Sequence, residues 1–166
     1  MKVGFETPIR PIPPIEENMT RFDAGAVTFG VEYRLLNDGI VAEHMANHSA
    51  EQVEANRPNV GGGEIDDSGV SIHVFGADGH EYLRFDCFDD GPHYHYIAPG
   101  AQTQLIVAMD RAANGDPLDW TLSRLRGRLG EMLQEAGGAQ FAERGDPALV
   151  AGALDKVEAA ARGAVA

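Results

Sequence analysis

The 166-residue sequence has one cysteine and no apolar run as long as a membrane span. The single cysteine, Cys87, excludes an intrachain disulfide. The first residues, MKVGFETP, lack the apolar segment of a signal peptide. These absences predict a cytoplasmic protein without a membrane-spanning segment.

Basic residues are also scarce. The chain carries 13 Lys and Arg side chains against 26 Asp and Glu side chains, a formal net charge of −13. An acidic surface is repelled by a phosphate backbone, so we expect no nucleic-acid partner. The glycine run 61–63 is not followed by the Lys-Ser/Thr pair of a phosphate-binding loop, which gives nucleotide binding no support.

The residue pattern changes twice along the chain and predicts three parts. Residues 1–22 form a Pro-rich N-terminal arm, with four of the nine prolines between Thr7 and Pro14. Residues 23–110 form an antiparallel β domain with a short helix near 50–56, and residues 115–166 form a helical hairpin. The predicted fold class is α+β, an antiparallel β-meander of about five strands followed by a C-terminal two-helix hairpin.

The first strand is predicted from the alternation between Val27 and Leu35. The turn signal Asn37-Asp38-Gly39 follows it, so Ile40–Ala42 is predicted to return as the second arm of a hairpin. Ser49 and Gln52 have the spacing of a capping box and predict a short helix after it.

A single helix from Ile40 to Asn56 is the alternative for the same segment. In that helix His44, His48 and Glu51 lie on one face, since residues three and four apart are neighbours. They would then form a second candidate metal site.

Two apolar seams predict the helical part. Each helix begins at an Asp-Pro pair, Asp116-Pro117 and Asp146-Pro147, because Asp suits the N-cap and Pro the first helical turn. The seams pack either on the sheet or on a partner. A homo-oligomer or a larger partner subunit is therefore expected to dock through residues 117–164, where the first seam contributes Leu118, Leu122, Leu125 and Leu129.

The segment Val70–Ile97 carries the candidate site. A turn at Asp78-Gly79 pairs His73 with Arg84 and Ser71 with Asp86, and a second reversal at Asp89–Pro92 pairs Asp86 with His95. Because side chains alternate across a strand, one face then collects six polar residues. They are Ser71, His73, Arg84, Asp86, His93 and His95.

Three chemistries fit this face. In the first, His93, His95 and Asp86 bind a metal, with a divalent transition metal such as zinc as the expected cofactor. In the second, Asp86 orients His95 for acid–base catalysis while Arg84 holds an anionic substrate. In the third, Ser71, His73 and Arg84 bind a small ligand without reaction.

A fourth interpretation needs no site, because an open antiparallel sheet normally presents one polar face to water. The preferred hypothesis is metal-assisted or acid–base chemistry on a small anionic substrate. The alternative is a non-catalytic accessory protein that docks through its helices and its Pro-rich arm. Whether the protein is an enzyme stays open at this point.

Overall fold

Seven antiparallel strands form one sheet in the computed structural model, which describes residues 3–165. The strands follow the spatial order β1-β7-β6-β5-β4-β3-β2. Their bounds are β1 Phe5–Thr7, β2 Thr20–Asp23, β3 Val27–Asn37, β4 Asp66–Gly76, β5 Glu81–Phe88, β6 His93–Tyr96 and β7 Gln104–Ala108. The α+β class is confirmed, and the sheet has seven strands rather than about five.

The two additional strands come from the Pro-rich arm. β1 pairs with β7 at one edge of the sheet and β2 pairs with β3 at the other. Neither strand contains a proline, and Pro8, Pro11, Pro13 and Pro14 all lie between them. Proline has no backbone N–H for a strand ladder, so this segment crosses the sheet without joining it.

Six helices complete the described residues. They are α1 Asp38–Met45, α2 Ala50–Asn56, α3 Arg111–Asn114, α4 Pro117–Glu135, α5 Ala139–Glu143 and α6 Pro147–Val165. The predicted starts of the two long helices are confirmed: the Asp116 carboxylate accepts a hydrogen bond from the N–H of Asp119, and that of Asp146 accepts one from Ala148. The short helix α5 lies in the connection between them.

The apolar core lies between one face of the sheet and the helices α4, α5 and α6. The strands contribute alternating residues such as Phe29, Ile72 and Phe85. The predicted seam leucines Leu118, Leu122 and Leu125 are buried in this core, while Leu129 packs at its margin. A partner that docks on these helices therefore has to use their outer faces. No helix among residues 3–165 has the length and apolar character needed to cross a membrane.

The predicted strand at Ile40–Ala42 is wrong, because the Asn37-Asp38-Gly39 signal opens a helix. The Asn37 side chain accepts a hydrogen bond from the N–H of Ile40 and so acts as the N-cap of α1. The alternative of one continuous helix is also wrong, since the chain turns after α1 and starts again at Ser49. The capping box of Ser49 and Gln52 is confirmed, with both hydrogen bonds formed.

The hairpin of β4 and β5 has the predicted pairs, His73 opposite Arg84 and Ser71 opposite Asp86. Its loop has three residues and ends at Gly79, whose positive φ of 83° favours glycine. A β-bulge then leaves Tyr82 as an extra residue, so that Phe75 pairs with Glu81.

The hairpin of β5 and β6 differs from the prediction by two residues. Asp86 lies opposite His93, and His95 lies opposite Arg84, so the predicted pairing of Asp86 with His95 is wrong. A shift of two residues keeps every side chain on its predicted face, because strand side chains alternate with a period of two. The predicted polar face is therefore retained.

Candidate functional site

The polar face of the sheet is buried under the Pro-rich arm and the helices α1 and α2. Ser71 and His73 are fully buried, and Arg84, Asp86 and His95 are at most 5% exposed. The interpretation of this face as a solvated sheet surface is therefore wrong. His93, the sixth residue of this face, is partly exposed. The five buried polar side chains need internal partners, because each unpaired one destabilises the fold.

Backbone carbonyls of the arm supply several of these partners. The carbonyl of Ile12 accepts hydrogen bonds from both Arg34 and Arg84, and the carbonyl of Ile9 accepts one from the amide of Gln104. The N–H of Ile15 donates to Glu32. The prolines leave these carbonyls free of any strand ladder, so the arm is held on the sheet by buried side chains.

Three side chains meet at the centre of the face. Asp86 lies on β5, and His93 and His95 lie on β6. One carboxylate oxygen of Asp86, Oδ2, lies 3.0 Å from Nε2 of His95 and 3.3 Å from Nε2 of His93. One ligand atom from each residue falls within 4.8 Å of the others, which suits a single metal ion.

The proton on the His95 ring is placed by Gln104. The Gln104 amide nitrogen donates to the carbonyl of Ile9 at 2.8 Å, so its oxygen is the atom that faces Nδ1 of His95 at 2.7 Å. An amide oxygen only accepts, and Nδ1 must therefore carry the proton. In the neutral ring this leaves an unprotonated Nε2 directed at the Asp86 carboxylate.

His93 has the same arrangement. Its Nδ1 donates to the carbonyl of Gly91 at 2.7 Å, so in the neutral ring Nε2 again presents a lone pair to Asp86. The second oxygen of Asp86, Oδ1, accepts a hydrogen bond from the Ser71 hydroxyl. Three possible metal-ligand atoms, two nitrogens and one oxygen, thus lie within 4.8 Å of one another.

The pKa values in this trio are shifted in different directions. Burial alone raises the pKa of Asp86, but hydrogen bonds from His93 and His95 outweigh it and hold that pKa well below the usual value. Burial lowers the pKa of His95 and prevails, which favours the neutral ring. For His93 burial also lowers the pKa, yet its hydrogen bond and charge interaction with Asp86 raise it overall.

A second polar cluster lies beside the trio. His73 is placed between two carboxylates, with Nδ1 at 2.8 Å from Glu81 and Nε2 at 2.9 Å from Glu32. Glu81 also accepts two hydrogen bonds from the Arg84 guanidinium, while Arg34 binds Glu32 at 2.8 Å. These are buried ion pairs that satisfy one another.

Glu81 and Gln104 are the residues that sequence reasoning missed. By simple alternation Glu81 belongs on the opposite face from Arg84, and only the bulge at Tyr82 returns it to the polar face. Gln104 begins β7, which pairs with β6. The alternation of side chains along β7 is the only sequence signal that places Gln104 on the polar face. Glu32 and Arg34 are on the face to which alternation assigns them.

The predicted ligand-binding and catalytic residues are placed as follows. Ser71 and His73 are bonded to carboxylates and do not line the cavity that lies beside Asp86, His93 and His95. Arg84 lines it, but its guanidinium is engaged by Glu81 and Ile12. His95 also lines it, with Nδ1 bonded to Gln104 and Nε2 facing Asp86.

The second predicted metal site does not form. His44 lies on α1 and His48 in the turn after it, while Glu51 is exposed on α2. The two histidines hold the arm instead: Nε2 of His44 donates to the carbonyl of Arg10, and Nε2 of His48 accepts from the N–H of Arg10. These two hydrogen bonds hold the Pro-rich arm over the polar face of the sheet.

A cavity of about 200 Å³ lies between the arm, the helix α1 and the trio of Asp86, His93 and His95. All three residues of the trio line it. The apolar part of its wall comes from several elements, including Ile9 of the arm and Val41 of α1. A ligand in this space would lie directly against the trio.

The comparisons with known proteins place the chain in a family. No curated protein and no solved structure matches the chain significantly. A family model described as a domain of unknown function, DUF7700, matches residues 21–161. The matched range begins within β2 and ends near the end of α6, so it includes the trio and most of the sheet. The chain therefore belongs to the DUF7700 family.

Proposed function

We propose that Asp86, His93 and His95 bind a divalent transition metal such as zinc, and that the protein performs metal-assisted chemistry on a small anionic substrate. Nε2 of each histidine and Oδ2 of Asp86 are the ligands. Two histidines and one carboxylate are a common ligand set of catalytic zinc and of non-haem iron, and it leaves coordination positions open.

One observation carries this proposal: Nε2 of His95 and Nε2 of His93 lie 3.0 and 3.3 Å from the same carboxylate oxygen of Asp86. The Gln104 amide places a proton on Nδ1 of His95, because its own orientation is set by the carbonyl of Ile9. In the neutral ring Nε2 is then free to bind a cation placed between the three atoms.

Protonation is the alternative source of positive charge. A proton on His93, whose pKa is raised, would satisfy the contact between that ring and Asp86. The pKa of His95 is lowered, so its Nε2 would still face Asp86 without a proton. A metal ion would supply positive charge to the contacts of both His93 and His95 with Asp86.

The surroundings of the trio also match a metal centre. Metal-binding histidines usually donate their second N–H to a carbonyl or carboxylate, which fixes the tautomer and the ring direction. Gly91 does this for His93, Gln104 does it for His95, and Ser71 orients Asp86. A bound metal polarises a coordinated substrate or lowers the pKa of a coordinated water.

The acid–base alternative has less support. It requires Arg84 to hold the substrate, whereas Arg84 is bound to Glu81 and to the carbonyl of Ile12. The metal hypothesis leaves these bonds of Arg84 in place, and it also keeps Nδ1 of His95 bonded to Gln104.

The test is metal binding by the purified full chain. Metal content is measured by mass spectrometry, and the metal-free protein is titrated with Zn²⁺ by calorimetry. We expect a single tight site in the wild type and an affinity lower by at least about 100-fold in His93→Gln. His93 is the least buried of the three ligands, so this variant is the one most able to fold.

His80→Gln is the matched control, because His80 is bonded to the carbonyl of Ile97 away from the trio. It should bind Zn²⁺ like the wild type, and circular dichroism should show all three proteins folded. The proposal fails if the wild type binds neither Zn²⁺ nor Fe²⁺, Mn²⁺ or Co²⁺. It also fails if folded His93→Gln binds them as tightly as the wild type does.

A further inference from the structure

We infer that the cavity beside the trio binds a small monocarboxylate with a hydrocarbon tail, whose carboxylate coordinates the metal. This inference rests on the proposed metal site and adds the chemical class of its ligand. It is derived from the charge balance, the occupied arginines and the size of the cavity.

The ion pairs under the arm leave the carboxylate of Asp86 to the metal site. Arg34 is paired with Glu32, and Arg84 is paired with Glu81. Imidazoles bind a metal as neutral ligands, and Asp86 adds one negative charge. A divalent ion in this site therefore keeps one uncompensated positive charge.

Uncompensated charge in a buried site is destabilising, so the loaded site favours an anionic ligand. Among the described residues that line the cavity, Asp86 is the only acidic one. Arg10 is a further cation of this lining and is exposed, which adds to the preference for anions. A neutral or cationic ligand would not neutralise the positive charge of the loaded site.

The occupied arginines separate a carboxylate from a phosphate. Arginine usually binds phosphate through a pair of parallel N–H donors. In Arg84 that pair is bonded to both oxygens of Glu81, and Arg34 is divided between Glu32 and the carbonyl of Ile12. Arg10 is the remaining arginine of the lining and is exposed, so the metal is the main buried anchor for an anion, and one carboxylate is sufficient for it.

The size and wall of the cavity describe the rest of the ligand. About 200 Å³ is less than the roughly 300–1,000 Å³ of a drug-sized pocket. Phe5, Ile9, Val41, Met45 and Ile106 supply apolar wall from four different elements. A short branched or cyclic hydrocarbon group fits such a wall, whereas an inorganic anion leaves it uncovered.

The experiment uses the full chain loaded with Co²⁺, whose visible spectrum changes when its ligands change. The probes are 3-methylbutanoate, its neutral isostere 3-methylbutanamide, and inorganic phosphate. We expect a saturable spectral change with 3-methylbutanoate, and affinities lower by at least about tenfold for the other two probes.

Val41→Phe tests the location, because Val41 lines the cavity and is not one of the three metal ligands. It should leave the affinity for Co²⁺ unchanged and lower the affinity for 3-methylbutanoate by at least about tenfold. Val53→Phe is the matched control, since Val53 is 40% exposed on α2 and should bind both like the wild type.

The outcomes separate the two proposals. If Co²⁺ does not bind to the wild type, the metal site and the ligand class both fail. If Co²⁺ binds but 3-methylbutanoate leaves the spectrum unchanged, or phosphate or the amide binds as tightly, the ligand class alone fails. Equal binding of 3-methylbutanoate by Val41→Phe and the wild type likewise overturns its assignment to this cavity.

Discussion

Glu81 and Arg84 are three residues apart on one strand, yet their side chains form a two-point ion pair on the same face of the sheet. Nε and Nη2 of Arg84 donate to the two carboxylate oxygens of Glu81 at 2.6 and 2.9 Å. Three residues along a regular strand would place them on opposite faces. The bulge at Tyr82 adds the residue that reverses this parity.

Glu81→Gln should destabilise the fold strongly. Burial raises the pKa of Glu81, but Arg84 and His73 outweigh it and lower that pKa to about 2, so the carboxylate is charged at neutral pH. Its loss leaves the buried Arg84 without its counter-charge and removes one of the two carboxylates bonded to His73, which costs about 3–5 kcal/mol. Urea unfolding at pH 7 measures this change.

The control for Glu81→Gln is Glu131→Gln, which removes the partner of an exposed ion pair with Arg128. The free energy of unfolding of the control should stay close to that of the wild type, because this ion pair is screened by solvent. If both variants lost only a similar, small amount of unfolding free energy, the buried pair of Glu81 and Arg84 would not stabilise the fold as described.

His73 should make the stability depend on pH. Burial lowers its pKa, but the hydrogen bonds with Glu32 and Glu81 outweigh burial and raise it above 6.5. A raised pKa means that the folded state holds the proton more tightly than the unfolded state. The stabilisation is therefore complete below pH 6.5 and is lost as the pH rises through the folded-state pKa.

The measurement compares the free energy of unfolding of the wild type and of His73→Gln between pH 6 and pH 9. The advantage of the wild type should decrease as the pH rises. Glu32 and Glu81 do not contribute to this slope, because their pKa values are lowered and they titrate at more acidic pH. A constant difference across the range would show that His73 is neutral in the folded protein.

Gln104→Leu should weaken metal binding without touching a metal ligand. It removes the acceptor for Nδ1 of His95 and the donor to the carbonyl of Ile9. Loss of such an orienting partner typically lowers metal affinity by about 10–100-fold. Calorimetric titration with Zn²⁺ measures it, with exposed Gln102→Leu as the control.

A wild-type affinity in Gln104→Leu would mean that the His95 ring is held in place without this amide. The prediction is specific to metal affinity, so the comparison is made between proteins that circular dichroism shows to be folded.

The arm should contribute to stability through its one deeply buried isoleucine. Ile9 is 7% exposed and lines the cavity, whereas Ile15 is 52% exposed. Ile9→Ala removes buried apolar volume and should cost about 2–5 kcal/mol. Ile15→Ala should change the free energy of unfolding by less than about 0.5 kcal/mol. Equal effects in urea unfolding would mean that the arm is not docked as described.

Much of the site follows from strand alternation. Alternation and the Asp78-Gly79 turn correctly predict that Asp86, His93 and His95 share a face with His73 and Arg84. The predicted register of the second hairpin is wrong by two residues, and the error leaves the faces unchanged because two is the period of a strand. The local pattern was therefore sufficient to group these residues.

The segment after β3 shows where local signals fail. Asn37-Asp38-Gly39 suits both a hairpin turn and a helix N-terminus, because Asn serves in either. The competition is decided by β4, which pairs with β3 along its whole length and leaves no place for a returning strand. Such a long-range pairing cannot be predicted from the residues around Asn37.

The amino-acid sequence by itself determined the α+β class, the starts of the two long helices and the division of the central strands into an apolar and a polar face. These depend on neighbours within a few residues, through side-chain alternation and helix capping. The tertiary structure alone decided that the polar face is buried. Contacts between the arm and Gln104, Arg34 and Arg84 join residues far apart in the chain, and they cover the polar face and form the cavity beside Asp86, His93 and His95.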